Sequence, residues 1–186
     1  MIGVDEVGRG CWAGPMLVVA ARKVGNLPDG LADSKVLTKA RRERLYDSIT
    51  RTCELGEGWV SATEIDRLGL GGAMRLAVSR ALRAIRAQDD EEIIMDGIVN
   101  YCEERFINTR CEPRADAHHP IVSAASVYAK VTRDAYMARQ DEFFPEYGFI
   151  RHVGYGTREH SQAIKKYGIN ELHRLSFTPI KALAGR

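Results

Sequence analysis

The sequence predicts a mixed-sheet α/β domain with a small helical part at its C-terminal end. Three observations carry this. Two apolar runs near the start are joined by a glycine-rich turn. Further on, a strand-like run alternates with amphipathic helical patterns, and the last stretch is rich in Gly, Tyr and His. A length of 186 residues and 45% apolar content suit one packed body. We expect that body over 1–144, with a C-terminal segment, 145–186, packed on it.

Residues 1–7 read as a strand, and Met16 to Val24 as a second. Gly8–Pro15 carries three glycines and a proline, so the two strands are expected as an antiparallel hairpin. Pro28, Asp29 and Gly30 mark a loop. Thr38 suits an N-cap for a helix through Ile49, with Leu45 and Ile49 on one face. Glu57 to Ala62 reads as a third strand. Met74, Ala77, Val78, Ala81, Leu82 and Ile85 follow helical spacing over 74–86. Arg75, Arg80, Arg83 and Arg86 fall off that stripe and read as a solvated face rather than a nucleic-acid track. Glu92 to Met95 is a short strand ending at Asp96-Gly97. Pro120 suits the first turn of a helix to about Arg139. Its apolar stripe is Ile121, Ala124, Ala125, Tyr128 and Val131, and Ser126, Lys130 and Arg133 share another face. A short helix is expected near Glu159–Tyr167, followed by an irregular tail.

Composition excludes several classes. Net charge is +2, from 27 basic and 25 acidic residues, so nucleic acid would be held by local clusters rather than a global field. Cys11, Cys53, Cys102 and Cys111 form no C-x-x-C pair, which argues against a zinc framework or disulfide scaffold. No signal peptide and no membrane-spanning run is read, and a cytoplasmic location is expected. There is no P-loop and no G-x-S-x-G elbow.

Asp5-Glu6-Val7-Gly8-Arg9-Gly10 is the most informative stretch. Acids at the end of a buried strand are costly unless paired or bound to a cation. Glycines let backbone lie against a ligand, and Arg9 adds a cation there. Asp96 ends another strand, and acids at strand ends gather at one sheet edge. Asp116 precedes the helix at Pro120 and reads equally as a helix-end acid or as a metal ligand. Adjacent strand residues face opposite ways, so Asp5 and Glu6 share a site only if the strand ends or bulges there. Four carboxylates can hold two divalent ions roughly 3.5–4 Å apart. Such oxygen ligands favour Mg²⁺ or Mn²⁺ over zinc. His118-His119 reads as a polar loop.

These residues together resemble ribonuclease HII. Gly3-Val4-Asp5-Glu6-Val7-Gly8-Arg9-Gly10 with Ala13-Gly14-Pro15 is similar to that family's opening signature. So are Asp33-Ser34-Lys35 with Leu37, Asp96-Gly97, Ala115-Asp116, and Ser123-Ala124-Ala125-Ser126 with Ala129-Lys130-Val131-Thr132-Arg133-Asp134. Gly154-Tyr155-Gly156-Thr157 with His160, and His173-Arg174 with Ser176-Phe177, complete the match. The resemblance implies an RNase H-like fold, a central mixed sheet flanked by helices. It implies a metal-dependent endonuclease that cuts the RNA strand of RNA–DNA hybrids. It also implies incision 5′ of ribonucleotides embedded in duplex DNA, leaving a 3′-hydroxyl and a 5′-phosphate. By carry-over, Asp5, Glu6, Asp96 and Asp116 are the catalytic, metal-binding acids, with Mn²⁺ or Mg²⁺ as cofactor. Gly8, Arg9 and Gly10 would contact the ribose 2′-hydroxyl, and Tyr155 the sugar of the neighbouring deoxynucleotide. Lys35, Ser126, Lys130 and Arg133 would contact phosphates. A monomer is expected, with no protein partner readable. The chain departs from the usual pattern at Ile98, where asparagine is common, and at Val153, where lysine is. Arg114 replaces another lysine and keeps its charge. The competing readings are a DNA-cutting member of the same fold superfamily and a hybrid-binding module without activity.

Overall fold

A computed structural model describes residues 1–31 and 37–184. Five strands form one sheet: β1 (Ile2–Val7), β2 (Met16–Lys23), β3 (Cys53–Val60), β4 (Ile93–Asp96) and β5 (Thr109–Glu112). Their order is β3-β2-β1-β4-β5. β1 and β2 pair antiparallel from Ile2↔Arg22 to Val7↔Leu17, which is the expected hairpin. β3 extends the antiparallel half, while β4 and β5 run parallel to β1. The sheet is therefore mixed, and the predicted fold class holds.

Seven α-helices accompany it among the described residues: α1 (Lys39–Thr52), α2 (Ala62–Ala84), α3 (Ala115–His118), α4 (Pro120–Phe143), α5 (Phe149–His152), α6 (Arg158–Tyr167) and α7 (Thr178–Ala184). Strand alternation decides what each face buries. Ile2, Val4, Met16, Val18 and Ala20 pack with Ala77, Ala81 and Leu82 of α2. Leu17, Val19, Ala21 and Ile94 pack on the other face with Ile121, Ala124 and Ala125 of α4 and with Leu45 and Ile49 of α1. A third apolar cluster joins Ala13 and Met137 to Tyr147, Phe149, Ile164 and Ile180.

Several elements differ from the sequence reading. β3 begins at Cys53, because Gly56 and Gly58 blur its alternation. α2 begins twelve residues before the predicted start, at a capping box in which Ser61 and Glu64 satisfy each other's amides. Gly69 (φ 67°) kinks it, and the glycines that follow hide the helical period. β5 is too short and polar to signal itself. α7 forms where an irregular tail was expected. Thr38 does cap α1, accepting from the Arg41 amide. The four arginines of 75–86 are exposed, and Arg80 pairs with Glu64 at 2.7 Å, as a solvated face would.

Candidate active site

Asp5 and Glu6 stand near the C-terminal end of β1. The antiparallel register continues past them without a bulge, Asp5↔Val19 then Glu6↔Val18. On the other side, the parallel pairing with β4 ends at Val4↔Met95. Pairing thus stops on one edge of β1 only, beside these two acids. Strand alternation puts Asp5 on the α4 face and Glu6 on the opposite one, just past the last β1–β4 pair. Asp96 is the last residue of β4. Its charge acts on both Asp5 and Glu6.

Asp5 is 7% exposed. Burial pushes its carboxyl up to about 8, a bond from Ser126 opposes that shift, and Glu6 and Asp96 add to it. Burial likewise raises Glu6, countered chiefly by Arg9, whose guanidinium lies 3.7 Å away. Asp96 Oδ1 accepts from the Ala115 amide at 2.8 Å, which ties β4 to the start of α3. Asp116 sits in that first turn and is 3% exposed. It is thus both a first-turn acid and a neighbour of the Asp96 anchor.

The donor set fits a hard divalent cation. It is made of carboxylates, and Asp5 is driven towards its neutral form by enclosure and by two further acids. A bound cation reverses that shift. Among the described residues no three His, Cys, Asp or Glu side chains converge on a common point. Asp5 Oδ1 is engaged by the Glu6 amide at 2.8 Å, and Asp96 by Ala115, so each of these carboxylates is held locally.

A loop, Gly8–Pro15, rises directly beside these acids, and two buried arginines hold it. Arg174 donates to the carbonyls of Gly8 (2.7 Å), Arg9 (2.8 Å) and Gly14 (2.9 and 3.0 Å). Arg133 donates to Pro15 (2.8 Å), Ala13 (3.3 Å) and Val153 (2.9 Å). Gly8 has φ 82°, and a Cβ there would lie 2.1 Å from Arg133 Nε. The segment around Tyr155 is bonded to the same loop, since Trp12 and Ala13 both donate to the Gly154 carbonyl, at 2.8 and 3.2 Å. A Cβ at Gly154 would meet the Ala13 carbonyl at 2.2 Å. The Arg174 amide donates to Trp12 at 2.8 Å, which joins the third segment. Loop 8–15, arm 153–157 and strap 172–174 thus form one platform beside the acids.

The family model for ribonuclease HII matches residues 2–180. A ribonuclease HII of Coxiella burnetii is 41% identical over 185 residues, covering 97% of this chain and 89% of the relative. The chain belongs to the ribonuclease HII family. Among solved structures, ribonuclease H2 of Pyrococcus horikoshii is similar with a TM-score of 0.76 and 25% identity, covering 100% of this chain and 97% of that one. The ribonuclease HII of Archaeoglobus fulgidus, solved in complex with PCNA, shares the fold with a TM-score of 0.79 and 24% identity, over 98% and 95% of the chains. The fold is therefore RNase H-like, and ribonuclease HII membership implies an endonuclease acting on the RNA of RNA–DNA hybrids.

Within this ribonuclease HII frame, the predicted residues separate into groups. Asp5 and Glu6 near the end of β1, Asp96 at the end of β4 and Asp116 in the first turn of α3 lie on neighbouring elements, without three of them converging on one point. Of the glycine-rich stretch, Gly8 is buried, while Arg9 and Gly10 are exposed, and a Cβ on Gly10 would meet open space. Tyr155 is 41% exposed at the platform surface. Ser126 serves Asp5. Lys130 is half-buried and pairs with Asp134 at 2.9 Å. Arg133 differs from expectation. It is 0% exposed, and its donors go to three carbonyls, so it has no face for a phosphate. Lys35 and the Asp33-Ser34 beside it lie outside the described residues. His119 pairs with Glu112 at 2.8 Å. Arg174 was missed as a functional residue. Its only sequence signal is its place in a C-terminal segment that resembles the family.

Proposed function

We propose that this protein is a divalent-metal-dependent ribonuclease that incises duplex DNA 5′ of an embedded ribonucleotide, as well as cutting the RNA strand of hybrids. The observation that carries this reading is the junction of two devices within six residues. Strand β1 ends in paired acids, and the next residues form a clamped, partly exposed backbone loop beside them. Asp5, Glu6, Asp96 and Asp116 would hold the cation, either Mg²⁺ or Mn²⁺. When bound, it would neutralise phosphate charge and activate water for hydrolysis to a 3′-hydroxyl and a 5′-phosphate.

The chain's own residues do the rest. Ser126 and the Glu6 amide hold Asp5 in its ionised, ligating orientation. Arg174 withdraws the Gly8 and Arg9 carbonyls into the protein, which turns the opposite side of that backbone towards the sugar. Reading a 2′-hydroxyl is how RNA is told from DNA at one position, and it needs polar backbone at close range. Gly10 leaves the room for that approach. Tyr155 offers a ring to the adjoining deoxyribose. Phosphate contacts from Lys130 and Lys35 position the strand without reading sequence.

Asp5→Asn and Asp96→Asn test the assignment of the acids. Each is expected to lower cleavage of a ribonucleotide-containing duplex at least about 10³-fold while leaving its binding within about threefold of wild type. Turnover close to wild type in either variant would remove that residue from the metal site.

A further inference from the structure

We propose that His160 and His173 are positioning residues for Tyr155, joined in a hydrogen-bonded relay that holds the 153–157 arm from behind. The inference rests on the reading of Tyr155 as the residue that meets the substrate sugar. The direction of the relay follows from one donor that cannot reverse. His173 Nδ1 lies 2.9 Å from the Asn170 amide and 3.4 Å from the Asn170 carbonyl; the shorter contact is with a fixed donor, so the ring carries its proton on Nε2. His173 Nε2 lies 3.1 Å from His160 Nε2 and donates to it. His160 therefore carries its own proton on Nδ1, which lies 2.9 Å from the Tyr155 carbonyl and donates there. The Thr157 amide supplies that carbonyl with a second donor at 2.8 Å.

The relay is enclosed. His160 is 0% and His173 2% exposed. The titratable groups facing the pair are His152, stacked on His160 at 4.5 Å, and Tyr147, 5.2 Å from His173. Trp12 and Phe149 complete the walls. His152 is fixed as well, donating to Tyr147 and accepting from the Gly154 amide. With a single proton on each ring, every ring nitrogen of the three has a partner. An extra proton on either relay ring would set two donors against each other. The relay spans the strap and α6, and it ends on the backbone of the one exposed aromatic residue of the platform arm. A core that needed only apolar filling would not require three imidazoles in fixed tautomers.

The test compares cleavage of duplex DNA holding one ribonucleotide with cleavage of an all-RNA strand in a hybrid, as a ratio of kcat/KM values. His160→Ala and Tyr155→Ala are each expected to lower this ratio about tenfold, and the double variant is expected to lose no more than about threefold beyond either single change. His160→Asn keeps a donor where Nδ1 stood and is expected to restore the ratio to within about threefold of wild type. A wild-type ratio in His160→Ala alongside a lowered one in Tyr155→Ala would overturn the relay alone. An unchanged ratio in Tyr155→Ala would overturn the reading beneath it. Long-range ¹H–¹⁵N spectra of the wild-type imidazoles test the relay without any variant. They are expected to show His173 protonated on Nε2 and His160 on Nδ1; the other tautomer at either ring would contradict it.

Discussion

Asp5 concentrates the electrostatics of the site in one side chain. Its carboxyl is raised from an ordinary 3.8 to about 8, mainly by burial. Its folded-state value exceeds its unfolded one. In metal-free protein the neutral form is therefore favoured, and stability is lost as pH rises from 3.8 through 8. Asp5→Asn removes that cost. At pH 8 without metal, the variant is expected to unfold at higher denaturant concentration than wild type, whereas adding Mg²⁺ is expected to raise the wild-type midpoint and leave the variant's nearly unmoved. Val153 is a second informative residue. It is β-branched, yet it sits at φ 44°, and its carbonyl is held by Arg133. Left-handed backbone costs a non-glycine residue roughly 1–2 kcal/mol. Val153→Lys is expected to lower KM for substrate by adding a cation next to the arm, with stability unchanged or slightly raised. A higher KM would show that the side chain at 153 does not face the strand.

The elements that matter most are the three backbone segments of the platform, and the two buried arginines that join them. Replacing Arg174 by Met takes the guanidinium donors from the carbonyls of Arg9 and Gly14 and leaves Gly8 only the Cys11 amide at 3.3 Å. An unpaired carbonyl costs about 1–3 kcal/mol, so a loss of at least about 2 kcal/mol is expected in urea unfolding, together with weaker junction selectivity. A loss below about 1 kcal/mol would mean that water replaces the guanidinium without strain. This platform also marks where legibility in the sequence ended. The acids were readable because a carboxylate after an apolar run is anomalous wherever it occurs. The hairpin and α4 were readable from a glycine-rich turn, a proline and a clean period. Arg133 shares a helix face with Ser126 and Lys130, and helical spacing predicts that shared face correctly. Spacing does not say that loop 8–15 and Val153 cover the last turn of the face. Arg174 and the histidine relay are tertiary in the same sense. Their partners are carbonyls, which every residue carries, so no side-chain pattern announces them.

For the molecule as a whole, the buried histidines predict acid sensitivity. Burial lowers both His160 and His173 from 6.5 to about 4. The unfolded chain then binds more protons than the folded one between those values. Stability is full above pH 6.5, falls as pH drops, and reaches its floor below about 4. Asp5 titrates with the opposite sign, so the measurement belongs in the Asp5→Asn variant. Its urea midpoint is expected to be clearly lower at pH 5 than at pH 7.5. Equal midpoints would show that the imidazoles are protonated in the folded state at little cost. None of these tests bears on the whole account as directly as product mapping on duplex DNA carrying a single ribonucleotide. With Mg²⁺ or Mn²⁺ present, the account requires one cut, 5′ of the ribonucleotide, ending in a 3′-hydroxyl, and none with EDTA or on the all-DNA duplex. Equal cutting of the all-DNA duplex, or binding of the ribonucleotide substrate without a cut, would contradict it.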